Sequence, residues 1–168
     1  ESIMNQYYPV EDTGEVRLVD LCLIDSGDQT DTIYEFTIGR EDWCLPVKGS
    51  SKEMMSNFKI SKINAVSSKA YGNTLVIVDG GKYKDSIAAR MHRKNGTGSW
   101  MVYKGCDMEY AQQVTAEHKV KQKKNGRTVE KWVQKVSHGD NHYFDAEVYA
   151  YAAADLMGVR SLHLQDQE

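Results

Sequence analysis

Three aspartates stand where a folded chain would concentrate charge. Asp25 closes the apolar run "EVRLVDLCLID" at residues 15–25, and Asp79 closes "NTLVIV" in "NTLVIVDGG" at 73–81. Asp145 heads the set Asp145, Tyr149, Ala152 and Leu156 in "DNHYFDAEVYAYAAADLMG", spaced i, i+4, i+7 and i+11 as one face of a helix. Carboxylates at strand ends converge where open α/β sheets place their ligands. Two of them within a few ångströms need a proton or a cation between them, and oxygen-only ligands favour Mg²⁺ or Mn²⁺. Two such ions, roughly 3.5–4 Å apart, would activate a water and stabilise the leaving oxygen of a phosphodiester. The competing assignment for each aspartate is a turn or helix cap. Asp79, followed by Gly80-Gly81 and a helix start, fits that assignment best. Asp145 weighs more, because a charge on an inward stripe is costly unless paired or bound to metal.

A second constellation is electrostatic. Lys119, Lys121, Lys123, Lys124, Arg127, Lys131 and Lys135 face a single acid, Glu130, over the same stretch. In a chain of net charge −3 this is a strong local patch, of the kind that contacts phosphates. The same lysines would also keep an exposed strand edge from pairing with other chains, and composition does not separate the two. Trp132 lies on this stretch, free to stack or to pack. The other motifs are weaker. "GGKYKDS" lacks the spacing of a phosphate loop. His138 and His142 lie in a loop-like "SHGDNHY", as solvated or capping residues.

The elements that position these residues read as α/β. Residues 15–25 have the pattern of a central strand covered on both faces, with Asp20 on the same strand as Asp25. "SGDQT" turns, and "TDTIYEFTIG" places Ile33 and Phe36 (or Thr37) at helical spacing before Gly39. "WCLPVKG" at 43–49 is a short strand whose Pro46 suggests an edge or a strand end. Residues 50–70 read as an excursion, 73–81 as a buried strand ending in an aspartate and a glycine pair, and "KYKDSIAARMHR" as an amphipathic helix through Tyr83, Ile87 and Met91. "DMEYAQQVTAEH" reads as a helix. "HKVKQKKNGRTVEKWVQKV" reads as a hairpin around Asn125-Gly126, with Val120, Val129, Trp132 or Val133, and Val136 able to cover one face.

Composition bounds the rest. The 168 residues are enough for one domain with its own core, and 40% hydrophobic against 27% charged is the balance of a globular protein. Three widely spaced cysteines, with no C-x-x-C, argue against a zinc site or a disulfide framework and for reduced thiols in a cytosolic compartment. No apolar run has the length of a spanning helix, and the first residues lack the pattern of a signal peptide. Asn95-Gly96-Thr97 is read as an exposed turn.

The ordered string "LIDSGDQTDTIYEF", "PVKGSS", Lys84-Asp85 at a helix start, "YAQQVTAEH" and "DNHYFDAEVYAYAAAD" resembles the C-terminal nuclease domain of bacteriophage terminase large subunits of the lambda type. The resemblance spans nearly the whole chain and is most specific at Asp-Ser-Gly and at Asn141-x-x-x-Asp145. It implies a ribonuclease H-like mixed sheet flanked by helices, an acidic cluster with two Mg²⁺ or Mn²⁺ ions, and cutting of concatemeric viral DNA during packaging in the host cytoplasm. Double-stranded DNA, a terminase small subunit and a portal are the implied partners. Asp25 corresponds to the middle acid and Asp145 to the last, with Asn141 supporting and Asp79 a further metal candidate. The family's first acid would precede residue 1, the ATPase motor is missing, and residues 1–8 would match a helix leading into the Asp25 strand. The chain thus reads as one nuclease domain, incomplete at its N-terminus and weak or inactive alone. Asp140 and His142 depart from the commoner Arg-Asn-Glu form. A degenerate DNA-binding or portal-docking module, and a structural phage protein, remain the alternatives.

Overall fold

A computed structural model describes residues 2–10, 13–124, 126–137 and 139–159, so Asn125 and His138 lie outside the described residues. Two compact units divide the chain: residues 1–48, 59–77 and 153–168 form the first, and residues 49–58 and 78–152 the second.

The first unit opens with a turn at residues 2–5, where the resemblance implies a helix, and with the antiparallel pair β1 (Tyr8–Pro9) and β2 (Val16–Arg17). Four strands then form a sheet: β3 (Cys22–Asp25), β4 (Cys44–Gly49), β5 (Phe58–Lys62) and β6 (Thr74–Val78), in the order β3-β4-β6-β5. The strand-end residues Gly49, Phe58 and Val78 fall in the second unit. β3 and β4 are parallel, joined by helix α1 (Thr30–Thr37), a strand-helix-strand crossover. The Ile63 N–H donates to the Asn73 carbonyl, and the Gly72 N–H to the Ile63 carbonyl, which makes β5 and β6 antiparallel and the sheet mixed.

Residues 15–25 are therefore not one central strand. Only Cys22–Asp25 joins the sheet, at the end of its described order, and Asp20 lies on no strand. Leu18 and Val16 are exposed. The strand buried on both faces is β4, where Cys44 to Val47 are all buried. Pro46 sits inside it rather than at an edge. The carbonyls of Trp43 and Val47 accept from Cys22 and Ser26, so the odd-numbered residues of β4 face β3 and the proline's missing donor falls on the β6 side, leaving the β3 ladder complete. On α1 the buried residues are Tyr34 and Thr37, with Ile33 half-buried beside them. Tyr34, Ile63, Ala70 and Leu75 make a core cluster with Ile77 against it.

Cys22 and Cys44 are register partners across β3 and β4, and both are free thiols. Burial first, and the adjacent Cys22 thiol second, push the Cys44 thiol from 9.0 up to about 12. Its folded pKa exceeds the unfolded one, so this contribution to stability is complete below pH 9 and is lost as pH rises towards 12. Iodoacetamide at pH 8 is expected to label Cys22 and Cys106 well before Cys44, read by peptide mass spectrometry. Equal labelling rates at Cys44 and Cys106 would contradict this.

The second unit holds helices α2 (Gly80–Met91) and α3 (Met108–Val114), strands β7 (Glu117–Lys124) and β8 (Arg127–Gln134), and most of α4 (His142–Leu156). Asp79 caps α2, and Tyr83 and Ile87 are buried on it at the expected spacing. The helix read over 107–118 is shorter. Asp107 caps it by accepting from the Tyr110 N–H at 2.8 Å, and it ends at Val114, where the Thr115 hydroxyl bonds back to the Ala111 carbonyl. Glu117 and His118 belong to β7 instead.

β7 and β8 pair antiparallel from Glu117↔Gln134 to Lys124↔Arg127, and Gly126 has φ 76°, as a two-residue hairpin turn requires. On α4 the buried stripe is Phe144, Val148 and Ala152. It starts one residue ahead of the stripe that the spacing implies, and Asp145 flanks it at 41% side-chain exposure. No helix among the described residues is long and apolar enough to cross a membrane.

Candidate active site

Lys84, one turn into α2, points its ammonium between two carboxylates of the second unit. Its Nζ lies 2.6 Å from Oε1 of Glu117, the first residue of β7, and 2.8 Å from Oδ1 of Asp145. Lys84 and Glu117 are nearly buried, at 13% and 6% side-chain exposure. Asn141 completes the group: its Nδ2 donates to Glu117 Oε1 at 2.7 Å and to Asp145 Oδ2 at 3.1 Å. The geometry explains the Asn-x-x-x-Asp spacing. The Asn141 carbonyl accepts the first helical bonds of α4, from Phe144 and Asp145, and residues four apart share a helix face. Asp145 lies in the first turn, where the helix dipole favours a negative charge. The Gln134 amide then donates to Asn141 Oδ1 at 3.3 Å, which ties the group to β8. Beneath it, the Lys84 ammonium sits 5.1 Å from the centre of the Phe144 ring.

This group opens into a cavity of about 470 Å³ walled by the residue 49–53 loop, the start of α2, the base of the hairpin and α4. On its hairpin wall, Asp85 accepts from Lys119 Nζ at 2.8 Å and from Trp132 Nε1 at 2.9 Å. Lys119 also reaches Glu130 at 3.1 Å. The bond to Asp85 leads in holding Lys119 protonated above the usual lysine range. Trp132 packs edge-on against Phe144, ring centres 5.7 Å apart.

The other expected residues sit as follows. Asp79 lines the same cavity, but both of its oxygens serve the backbone: Oδ1 accepts from Lys82 N–H at 3.2 Å and Oδ2 from Met54 N–H at 2.9 Å. It is a helix cap that also pins a loop. Asp25, in the first unit, ends β3 exposed, and its Oδ1 accepts from the Gly27 N–H at 2.9 Å, a tight Asx turn that accounts for the glycine two residues on. The hairpin register splits its charges. Lys119, Lys121 and Lys123 share a face with Glu117, Glu130 and Trp132, whereas Arg127 and Lys131 share the other with Val120, Val129 and Val133. Trp132 is thus not on the valine face. His142 reaches Asp140 at 3.7 Å, both well exposed.

The sequence pattern hides Glu117, which reads as part of a helix, and gives Lys84 no chemistry. A single lysine in the first turns of an amphipathic helix carries no signal of its own; its partners come from β7 and α4.

Among the described residues no three His, Cys, Asp or Glu side chains gather to hold a metal ion. The donor set nonetheless suits a hard cation. Two carboxylate oxygens already converge on one positive charge, and Mg²⁺ is commonly held by one or two carboxylates together with waters and substrate phosphates.

The second unit gathers carboxylates, a nearly buried lysine and the base of a basic hairpin around one cavity. Residues 1–165 match the family model of the terminase large subunit gpA endonuclease domain, and the chain belongs to that family. Comparison with curated proteins and with solved structures gives no match.

Proposed function

We propose that this chain is a divalent-metal-dependent endodeoxyribonuclease of ribonuclease H-like architecture, cutting concatemeric viral DNA during genome packaging. The observation that carries the proposal is the convergence of Glu117 and Asp145 on the Lys84 ammonium in the lining of the cavity. Asp145, the more exposed of the two carboxylates, is the metal ligand of the second unit. Asp25, in the first unit, is assigned a metal-binding role by its strand-end Asp-Ser-Gly motif alone, and Asp79 remains a structural cap. When bound, Mg²⁺ or Mn²⁺ supplies a water nucleophile and charge for the leaving oxygen. Lys84 holds a positive charge where the phosphate's negative charge grows during attack, and Asn141 orients the Asp145 carboxylate by its amide. Host cytoplasm, a terminase small subunit and a portal are the setting that follows from this reading.

Incubation of the complete large subunit that carries this domain with supercoiled plasmid tests it. Nicked and linear products should appear with Mn²⁺ or Mg²⁺ and vanish with EDTA. DNA that stays supercoiled while bound to the protein would leave a docking module without catalysis.

The hairpin is the proposed DNA edge. Lys119 is taken by Asp85 and Glu130, whereas every residue of 121–131 whose burial is described is exposed. Lys121, Lys123, Arg127 and Lys131 are therefore the charges offered to phosphates, with Lys124 paired to Arg127 in the ladder next to the turn. Replacing Lys121, Lys123 and Arg127 with Ala should weaken binding to all sequences alike. The slope of log affinity against log salt should shrink by about 0.9 for each phosphate that is no longer neutralised. An unchanged affinity and slope in fluorescence anisotropy would leave the hairpin a solvated edge.

A further inference from the structure

We propose that Glu117 is a positioning residue, whose buried carboxylate fixes the Lys84 ammonium in register with Asp145; this rests on the nuclease reading above.

Three observations carry it. First, Glu117 Oε1 receives both Lys84 Nζ at 2.6 Å and Asn141 Nδ2 at 2.7 Å, and these two donors are the groups that reach Asp145, at 2.8 and 3.1 Å. Glu117 and Asp145 are thus clasped together from both sides by one ammonium and one amide. Second, the Glu117 backbone is held. It pairs with Gln134 in the ladder, the Lys135 N–H bonds the Ala116 carbonyl just before it, and Gln134 itself donates to Asn141. Third, the difference in exposure assigns the roles. Both carboxylates line the cavity, but Glu117, at 6%, is nearly closed off from solvent, and Asp145, at 41%, is open to it.

A lysine has a flexible four-carbon stem, and its charge has no fixed direction until something holds it. Lys84 has two anions in reach, and Glu117 is by far the less solvent-exposed of the two. When a divalent ion or a phosphate engages Asp145, Glu117 keeps the ammonium from leaving with it or swinging into solvent. The gain is orientation. Buried ion pairs add little net stability over apolar substitutes, because desolvation offsets most of their attraction. A Glu117 that acts only by holding Lys84 contacts neither metal nor DNA, so its removal should appear in the rate and not in DNA affinity.

The experiment uses plasmid cleavage at saturating Mn²⁺ with Glu117→Gln, Lys84→Gln and the double variant. Glu117→Gln should lower kcat by about 10- to 100-fold, the range for a residue that orients a functional group, with KM for DNA unchanged. The double variant should be no slower than Lys84→Gln alone, since Glu117 acts only through Lys84. Losses that multiply would overturn the proposal, as would a Glu117→Gln variant with full kcat. Should Glu117→Gln melt early, Glu117→Asp keeps the charge and withdraws it by one methylene. A kcat loss there with DNA affinity intact supports positioning, and a wild-type kcat overturns it. Asp145→Asn run in parallel separates the two readings. If it cuts at the wild-type rate, the nuclease assignment has failed; if it is dead while Glu117→Gln is fully active, only the role of Glu117 has.

Discussion

Asp145→Asn is expected to lower metal-dependent cleavage by about 10²- to 10³-fold or more, the loss seen when one preorganised electrostatic group is removed from a hydrolytic site. Asparagine keeps the volume of aspartate and can still accept from Asn141, so the entry of the chain into α4 is preserved. What disappears is the negative charge beside Lys84, on the carboxylate with the more exposed position. The Lys84 to Glu117 contact at 2.6 Å does not involve Asp145 and should survive. With 41% of its side chain exposed, Asp145 contributes little to stability, so the melting curve and DNA affinity should stay close to wild type. Single-turnover cleavage at saturating Mn²⁺, with a thermal melt on the same preparation, measures both. A variant that cuts within a few-fold of wild type would remove Asp145 from the site. Asp25→Asn should give the same loss if its Asp-Ser-Gly motif has the role assigned to it.

Lys84→Met should cost about 3–5 kcal/mol of stability, the usual consequence of stranding one member of a buried ion pair. Methionine fills much of the lysine's apolar stem and can still lie on the Phe144 ring, which the ammonium approaches to 5.1 Å. Among the described residues, Glu117 is left nearly buried with the neutral Asn141 amide as its side-chain partner. Adding Glu117→Gln to Lys84→Met should recover much of the loss, because the buried charge is then gone. Urea unfolding of the two single variants and the double reads this directly. A loss under about 1 kcal/mol would mean that Glu117 is solvated in practice and the pair behaves as a surface one.

The parts of the fold legible in the sequence are those with a strong local signal. The β6 strand and α2 follow from one apolar run and a four-residue repeat, and the hairpin follows from its two-residue turn. The spacing of Asn141 and Asp145 carries through as well, as a helix-entrance contact of 3.1 Å. The rest fails for identifiable reasons. In the helix α4, Ala150, Ala152, Ala153 and Ala154 surround the axis with small apolar residues, so the pattern does not distinguish the Phe144 stripe from one displaced by a residue. Residues 15–25 look continuous, yet Val16–Arg17 pairs with Tyr8–Pro9 instead of extending β3. Glu117 is hidden by a boundary. A strand that starts at 117 puts Glu117, Lys119 and Trp132 on one face, and a helix read through 118 removes that face altogether, since a one-residue change in register exchanges inside for outside. Lys84 has no assignable role without Glu117.

The central claim is that Asp145 holds a divalent cation beside Lys84. Titration of Mn²⁺ into the wild-type protein and Asp145→Asn, followed by calorimetry and by the Mn²⁺ paramagnetic resonance signal, tests it without requiring cleavage. Saturable binding to the wild type is expected, with binding to the variant at least about tenfold weaker, equivalent to about 1.4 kcal/mol or more. Identical isotherms for the two proteins would contradict it.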